Sequence, residues 1–365
     1  MRVLALGWLV VALTAAPGLA QRGDKAGEAQ PDVPVDLQLP PPPVLSPAKA
    51  QQAFSLAPGW RIDLVAAEPL IEAPVQALFD ADGRLWVVEM RGYMPNIDGL
   101  GETEPNGRVS VLFDDDGDGR MDRAVRFLDG LVLPRSIALV GDGVLVIAPP
   151  HVLYCRDTDG DFQADERTIV DSGIDGIVSP EYGPNGLLRV RDGVHLCVNH
   201  DRAYQWSGGK WSVVRRVGGG QYGITRTESG QVLYNTNSDL LRGDRVDALA
   251  LARHPFLDHG PLVNAGLVAT QAVHPVHVTP GVNRAYRDGW LKDGRLQRAD
   301  AACSPHVARG DAIPTESVGD VFVCEPAGNL VVQLQLEPEA RAGFGLQAQR
   351  VHPNREVLAS TDERF

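Results

Sequence analysis

Five aspartates stand within ten residues in FDDDGDGRMD, Phe113 to Asp122, and the pattern returns 43 positions later as RDTDGDFQAD, Arg156 to Asp165. In the first copy Asp114, Asp116, Asp118 and Asp122 fall at loop positions 1, 3, 5 and 9, with Gly119 at position 6 and Arg120 at position 7. That is the oxygen-ligand spacing of an EF-hand-like calcium loop, in which position 7 offers its backbone carbonyl. Position 12 is Val125, so the bidentate glutamate of a true EF-hand is missing. The second copy offers Asp157, Asp159, Asp161 and Asp165, with Gln163 at position 7 and Phe162 where the glycine should be. A side chain at that sharp turn makes the second loop the weaker one. The bland reading is a pair of solvated turns, since Asp and Gly are ordinary turn formers. Two copies at equal spacing favour calcium, in a stabilising role: four carboxylates held together repel without a cation.

The elements that must carry these loops are strands. VQALFDADGRLWVVEM reads as two strands around Asp82-Gly83. SIALVGDGVLVIAPP repeats the form around Asp142-Gly143, GLLRVRDGVHLCVN around Asp192-Gly193, and YGITRTESGQVLYNTN around Ser229-Gly230. DVFVCEPAGNLVVQLQL does so more loosely around Gly328-Asn329. Period-two alternation broken by such turns predicts hairpins. Further strand pairs lie between them: RVSVLF with AVRFL, HVLYCR with RTIVD, and AYQW with KWSVVRR. About four strands per 40 to 60 residues, with one short helix near Pro47 to Phe54, predict an all-β chain folded as a β-propeller; a long sandwich or two stacked barrels is the alternative. Five blade-like units fit between Pro58 and Leu336, and the tail REVLASTDERF falls where another unit would begin. The expectation is an incomplete six-bladed-type propeller over residues 51–365, lacking its C-terminal blade.

The amino terminus reads differently. Arg2, the apolar run Val3 to Ala16 and the small residues up to Ala20 form a secretory signal peptide, residues 1–20, too short for a comfortable membrane span. Residues 21–50, with prolines at 40 to 43, form an extended, disordered linker. No cysteine lies near the cleavage point to carry a lipid. An exported protein, periplasmic or secreted, with no stable membrane span after cleavage, is expected. In an oxidising compartment one disulfide among Cys155, Cys197, Cys303 and Cys324 is plausible, with Cys303–Cys324 the favoured pair. Cys197-Val-Asn-His200 and Cys303-Ser-Pro-His306 lack the C-x-x-C-H of haem attachment, so no haem is expected in this chain. Formal charge is −13, and ten acidic residues sit in the two loops. An acidic chain without a basic stripe speaks against nucleic acid.

Three long stretches carry a resemblance: LAPGWRIDLVAAEPLIEAPVQALFDADGRLWVVEMRGY (Leu56 to Tyr93), LYCRDTDGDFQADERTIV, and the segment from TPGVNRAY to PAGNLV (Thr279 to Val331). Together they resemble the membrane-bound dehydrogenase domain family, a relative of the soluble glucose/sorbosone dehydrogenase propellers, over roughly Ser46 to Phe365. The resemblance implies six blades, export, and in larger members a c-type cytochrome domain; here an electron acceptor of that kind would have to be on another chain. In the relatives, pyrroloquinoline quinone (PQQ) lies over the channel mouth, a histidine serves as general base, and arginines hold the cofactor's carboxylates. Residue by residue, VVEMRGY places Glu89 and Arg91, and VNHDRAY places His200 and Arg202, at positions matching catalytic or cofactor-contacting loops. The relatives' catalytic histidine is replaced here by Tyr182 or Gly183, and a neutral tyrosine is a poor base near pH 7. Asn185, Asn235, Asn237, Arg284 and Arg309 are further candidates for the channel or its rim, Asn185 and Arg309 as cofactor contacts; inter-blade hydrogen bonding is the plainer role for each. GGGQYG, Gly218 to Gly223, lacks the Lys-Ser/Thr of a phosphate loop and fits close packing better.

These readings leave four functions. One is an exported, calcium-stabilised dehydrogenase of sugars or alcohols with PQQ or a similar redox partner. The second is a non-catalytic propeller that binds glycans or proteins, since the fold selects no function. The third is the remnant of a longer multidomain protein. The last is lactone hydrolysis, marked by a channel calcium held by Asn and Glu.

Overall fold

In the structure, a computed structural model, residues 42–96, 99–254, 256–260, 262–279, 289–338 and 345–365 are described. The short helix is where the sequence places it, α1 over Pro47–Gln52, and is followed by strand β1, Phe54–Leu56. Five sheets of at least four strands come next. The first holds β2 (Pro74–Phe79), β3 (Leu85–Glu89), β4 (Gly107–Phe113) and β5 (Arg123–Leu131). The second holds β6 (Ser136–Val140), β7 (Gly143–Ala148), β8 (His151–Arg156) and β9 (Glu166–Ser172). The third holds β10 (Asn185–Arg189), β11 (Val194–Val198), β12 (Arg202–Ser207) and β13 (Lys210–Arg215). The fourth holds β14 (Ile224–Arg226), β15 (Val232–Thr236), β16 (Asp239–Gly243) and β17 (Ala265–Gly266), with helix α2 (Ala248–Leu251) between the last two. A two-stranded ribbon, β18 (Leu291–Lys292) and β19 (Arg295–Leu296), precedes the fifth sheet. That sheet holds β20 (Cys303–Val307), β21 (Val321–Glu325), β22 (Leu330–Pro338), β23 (Leu346–Arg350) and β24 (Leu358–Ser360). The chain is an all-β, five-bladed propeller arrangement, which matches the incomplete propeller of about five blades expected from the hairpin spacing.

Each blade is a meander of antiparallel neighbours, so its four strands alternate in direction. The D-G turns and both acidic loops therefore lie on one face. The connections from second to third strands, and from each blade to the next, lie on the other, the mouth face. Apolar cores fill the spaces between blades. Trp86, Val88 and Val109 pack with Ile137 and Val146 between the first two, and Leu145, Ile147 and Tyr154 pack with Leu187, Cys197 and Tyr204 between the next two. Burying such side chains contributes about 1.5–3 kcal/mol each.

Near the axis the inner strands are stapled by polar side chains. Gln76 of β2 accepts from the Ser136 hydroxyl (2.8 Å) and the Ile137 amide (2.7 Å). Ser136 in turn accepts from the Leu187 amide at 2.9 Å. Asn185 of β10 accepts from the Gly223 amide and donates to the Gln221 carbonyl, both at 2.8 Å. Thr225 of β14 accepts from the Val307 amide of β20 at 3.3 Å. Asn185 thus takes the inter-blade role that the sequence offered as its plainer reading.

The junction of the fifth blade with the first is built differently. β1 pairs with β24, so both ends of the domain share the fifth sheet, and the tail REVLASTDERF adds a strand there. From β1 the chain runs to β2 through residues 57–73. Val65, Ala66, Leu70 and Ile71 of that stretch cover Leu85, Val87 and Leu112 of the first blade, while Trp60 meets Phe322 of β21 edge to face. Cys303 and Cys324 stand directly opposite each other on β20 and β21, both as free thiols. Residues 1–41, which hold the expected signal peptide and most of the linker, lie outside the described residues, and so does Arg284. Among the described residues no helix is long and apolar enough to cross a membrane.

Candidate functional site

The five inner strands enclose a central channel of about 290 Å³, lined among others by Val75, Ala77, Arg135, Leu187, Tyr222 and Ser304. Arg135 stands out on its wall. It follows Pro134 at the entry to β6 and is 1% exposed. Nη2 donates to the Gly176 carbonyl at 2.7 Å, while Nε and Nη1 are buried with no partner. Two glycines make the room: a Cβ on Gly176 would lie 2.9 Å from Nε, and one on Gly183 only 2.6 Å from Cζ. The groups within electrostatic range are Tyr222, Tyr93 and Glu102. Among the described residues no carboxylate reaches it as an ion pair. Burial alone holds its pKa below the ordinary arginine value. Tyr93 donates to Glu181 at 3.0 Å on the same face, and burial next to that carboxylate raises the phenol's pKa.

His200 and Arg202, nominated from VNHDRAY, lie on the mouth face where β11 turns into β12. His200 Nε2 lies 3.1 Å from the Tyr204 hydroxyl. That hydroxyl donates to Asp171 at 3.2 Å, and Arg202 Nη1 donates to both Asp171 oxygens at 2.7 Å. With the Tyr204 hydroxyl donating its proton toward Asp171, His200 Nε2 carries the proton of the bond it shares with that hydroxyl, and Nδ1 is the acceptor nitrogen. Burial, then Arg202, holds the imidazole's pKa below its usual value, so it is neutral at pH 7. The neighbouring Asn199 donates to the Tyr182 carbonyl, which ties this loop to the segment that cradles Arg135.

Of the other nominated residues, Arg91, Glu89 and Arg309 are engaged in ion pairs. Arg91 pairs with Glu72. Glu89 is fully buried and accepts from the Ser110 hydroxyl (2.5 Å), the Glu72 amide (2.9 Å) and Arg108 (3.2 Å). Arg309 binds Glu228 and the Arg226 carbonyl, away from the mouth face. Tyr182 is 39% exposed at the mouth. Asn237 donates its backbone N–H to the Gln221 side-chain oxygen, and Asn235 is buried with both side-chain polar atoms unpartnered. Reading the sequence missed Arg135, Tyr93, Glu181 and Tyr222. Arg135 left one trace: a lone charge inside the apolar run LVLPRSIALV.

The two acidic loops have the same internal architecture. Asp114 accepts from the amides of Gly117 (2.7 Å) and Gly119 (2.9 Å), and Asp157 accepts from those of Gly160 (2.7 Å) and Phe162 (2.8 Å). Asp122 accepts from the Asp115 amide and Asp165 from the Thr158 amide. Carboxylate oxygens of Asp114, Asp116 and Asp122 lie within 4.8 Å of one another, as do those of Asp157, Asp159 and Asp165. Among the described residues these are the groups of three or more His, Cys, Asp or Glu close enough to share an ion. Asp118 and Asp161 turn to the amides of Arg120 and Gln163 instead, and the Gln163 side chain donates to Asp161 at 2.6 Å. Hydrogen bonds from the Thr158 amide and hydroxyl hold the Asp165 carboxyl below its usual pKa. Phe162 does occupy the left-handed region, φ 64°, and its ring packs edge to face on Phe113 of the first blade at 5.0 Å. That contact offsets a backbone cost of about 1–2 kcal/mol.

Comparison with solved structures finds propellers at low similarity. The holo PQQ domain of pyranose dehydrogenase from Coprinopsis cinerea is 13% identical, covers 85% of this chain and 87% of its own, and has a TM-score of 0.48. A calcium structure of a Trichoderma reesei carbohydrate-active enzyme of family AA12 is 13% identical, with 85% and 88% covered and a TM-score of 0.49. A streptogramin B lyase is 12% identical, with 84% and 76% covered and a TM-score of 0.38. Likeness this weak carries nothing about ligand or chemistry. Among curated proteins none matches the sequence. Residues 46–365 match the family described as Domain of unknown function (DUF7133), and the chain belongs to that family.

Proposed function

We propose that this chain is an exported, calcium-stabilised propeller that binds a small molecule in the mouth of its central channel. One observation carries the reading. The arginines and glutamate that a redox cofactor would call on, Arg91, Arg202, Arg309 and Glu89, are each held in an ion pair, while the channel stays open and is walled by all five blades. Calcium at the two acidic loops is part of the proposal. The donor set is all oxygen, three carboxylates converge in each loop, and a hard cation suits both facts. The role is structural, because both loops face away from the mouth.

The second reading is oxidation of a sugar or alcohol. The chain from Arg202 through Asp171 and Tyr204 to His200 favours it, because it orients a neutral imidazole with Nδ1 free to take a hydroxyl proton. In that reading PQQ would supply the hydride acceptor. The arginines assigned to its carboxylates by resemblance are paired with Glu72 and Asp171 and do not fit that task here.

Thermal melts in calcium, with PQQ and with small sugars and organic acids, test both readings. Binding should be lost in Ala77→Trp, which fills the channel from an exposed position. Dye reduction that disappears in His200→Asn would select the second reading.

A further inference from the structure

Resting on the channel as the ligand site, the geometry points to a small organic carboxylate as its ligand, ion-paired with Arg135. A guanidinium cannot shed its charge at any physiological pH, so a buried one needs a negative partner. Arg135 is 1% exposed, and the described residues supply none. Its neighbours Tyr93 and Tyr222 have phenols that burial keeps protonated, so they bring no charge. Glu102 lies within electrostatic range but accepts from the Met94 amide at 3.0 Å and forms no ion pair with the arginine. The arginine is also held in position. Gly176 and Gly183 leave the space it fills, and the Gly176 carbonyl fixes one nitrogen, while Nε and Nη1 stay buried without a partner.

The rest of the wall says what the carboxylate is attached to. Val75, Leu187, Ile224 and Pro305 line the same channel. Its amide and hydroxyl side chains are largely spent: Gln76, Ser136 and Asn185 already bond the neighbouring blades. The apolar side chains give a short carbon skeleton a surface to pack on, beside the polar groups of Tyr222, Ser304 and His306. The planar fork of arginine matches a carboxylate's two oxygens.

The test is a thermal-shift and calorimetric titration of the calcium-loaded protein at constant ionic strength. The probes are isobutyrate, its neutral isostere isobutyramide, and sulfate. Isobutyrate should bind and raise the melting temperature, with the other two at least about tenfold weaker. Arg135→Gln should lose at least about tenfold in isobutyrate affinity. Should that variant fail to fold, Gly183→Ala serves instead, since its methyl would push the guanidinium from its seat. Ala77→Trp should block every ligand. Isobutyramide binding as well as isobutyrate would overturn the carboxylate assignment and leave the channel as a ligand site. Sulfate equalling isobutyrate would overturn the organic class. Unchanged affinity in folded Arg135→Gln would overturn the role of Arg135. Failure of all probes in the wild type overturns the inference, and the sugar panel then decides the channel reading separately.

Discussion

Replacing Glu325 by glutamine should flatten the pH dependence of stability between about pH 4.5 and 7. Glu325 ends β21, is fully buried, and accepts from the backbone amides of Ala301 (3.2 Å) and Asp300 (3.3 Å). Burial pushes its pKa from 4.5 up to about 7, outweighing those two donors. The native state therefore holds the proton more tightly than the unfolded state does. Its stabilising contribution is complete below pH 4.5 and is lost as the pH climbs through about 7. A rise of roughly 2.5 units, at about 1.4 kcal/mol per unit, amounts to about 3 kcal/mol. Urea unfolding in saturating calcium at pH 5 and pH 7.5, for wild type and Glu325→Gln, measures it. Glu356, also raised to about 7 by burial, titrates in both proteins and cancels in the double difference. Because both pKa values lie close to this window, wild type should lose about 2.4 kcal/mol of that total more than the variant between the two pH values. Equal losses would refute the reasoning, because they would mean that Glu325 is ionised in the folded protein throughout.

Other perturbations have equally definite outcomes. Chelation should lower the melting temperature, and calcium at 100 times its dissociation constant should restore about 2.7 kcal/mol per loop. Asp114→Asn should cost more of this calcium response than Asp157→Asn, because Phe162 replaces the loop glycine in the second copy; calorimetric titration of each variant checks the order. Gln76→Ala removes the acceptor shared by Ser136 and Ile137 and should cost about 1–3 kcal/mol in urea unfolding. Arg202→Ala leaves Asp171, whose side chain is 12% exposed, without its cation. With Arg202 itself 28% exposed, the loss should be about 2 kcal/mol, below the range for fully buried pairs, and calorimetric melting would show it.

The hairpins were legible because each is local. Asp82-Gly83, Asp142-Gly143, Asp192-Gly193 and Ser229-Gly230 all join a first strand to a second, and alternation on either side sets the pairing. The glycines of GGGQYG do pack closely, with Gly219 and Gly220 against the Tyr234 ring. What did not show is long-range. β1 and β24 are three residues each and have no period to read, yet they pair across some 300 positions to join the domain's ends. The site divides the same way. The acidic loops are spacing motifs and could be read directly. His200 and Arg202 were legible as a pair, but Asp171 and Tyr204, which fix their roles, meet them through the fold. Arg135 is a single residue whose meaning depends on two glycines some 41 and 48 positions away and on the absence of a nearby carboxylate among the described residues.

A PQQ titration of the calcium-loaded protein, followed by dye reduction with a sugar and alcohol panel, tests the central claim most directly. The account predicts a cooperative, calcium-dependent melt, no dye reduction, and ligand-induced stabilisation that Ala77→Trp abolishes. Saturable PQQ binding with dye reduction lost in His200→Asn would contradict it and make the chain a dehydrogenase.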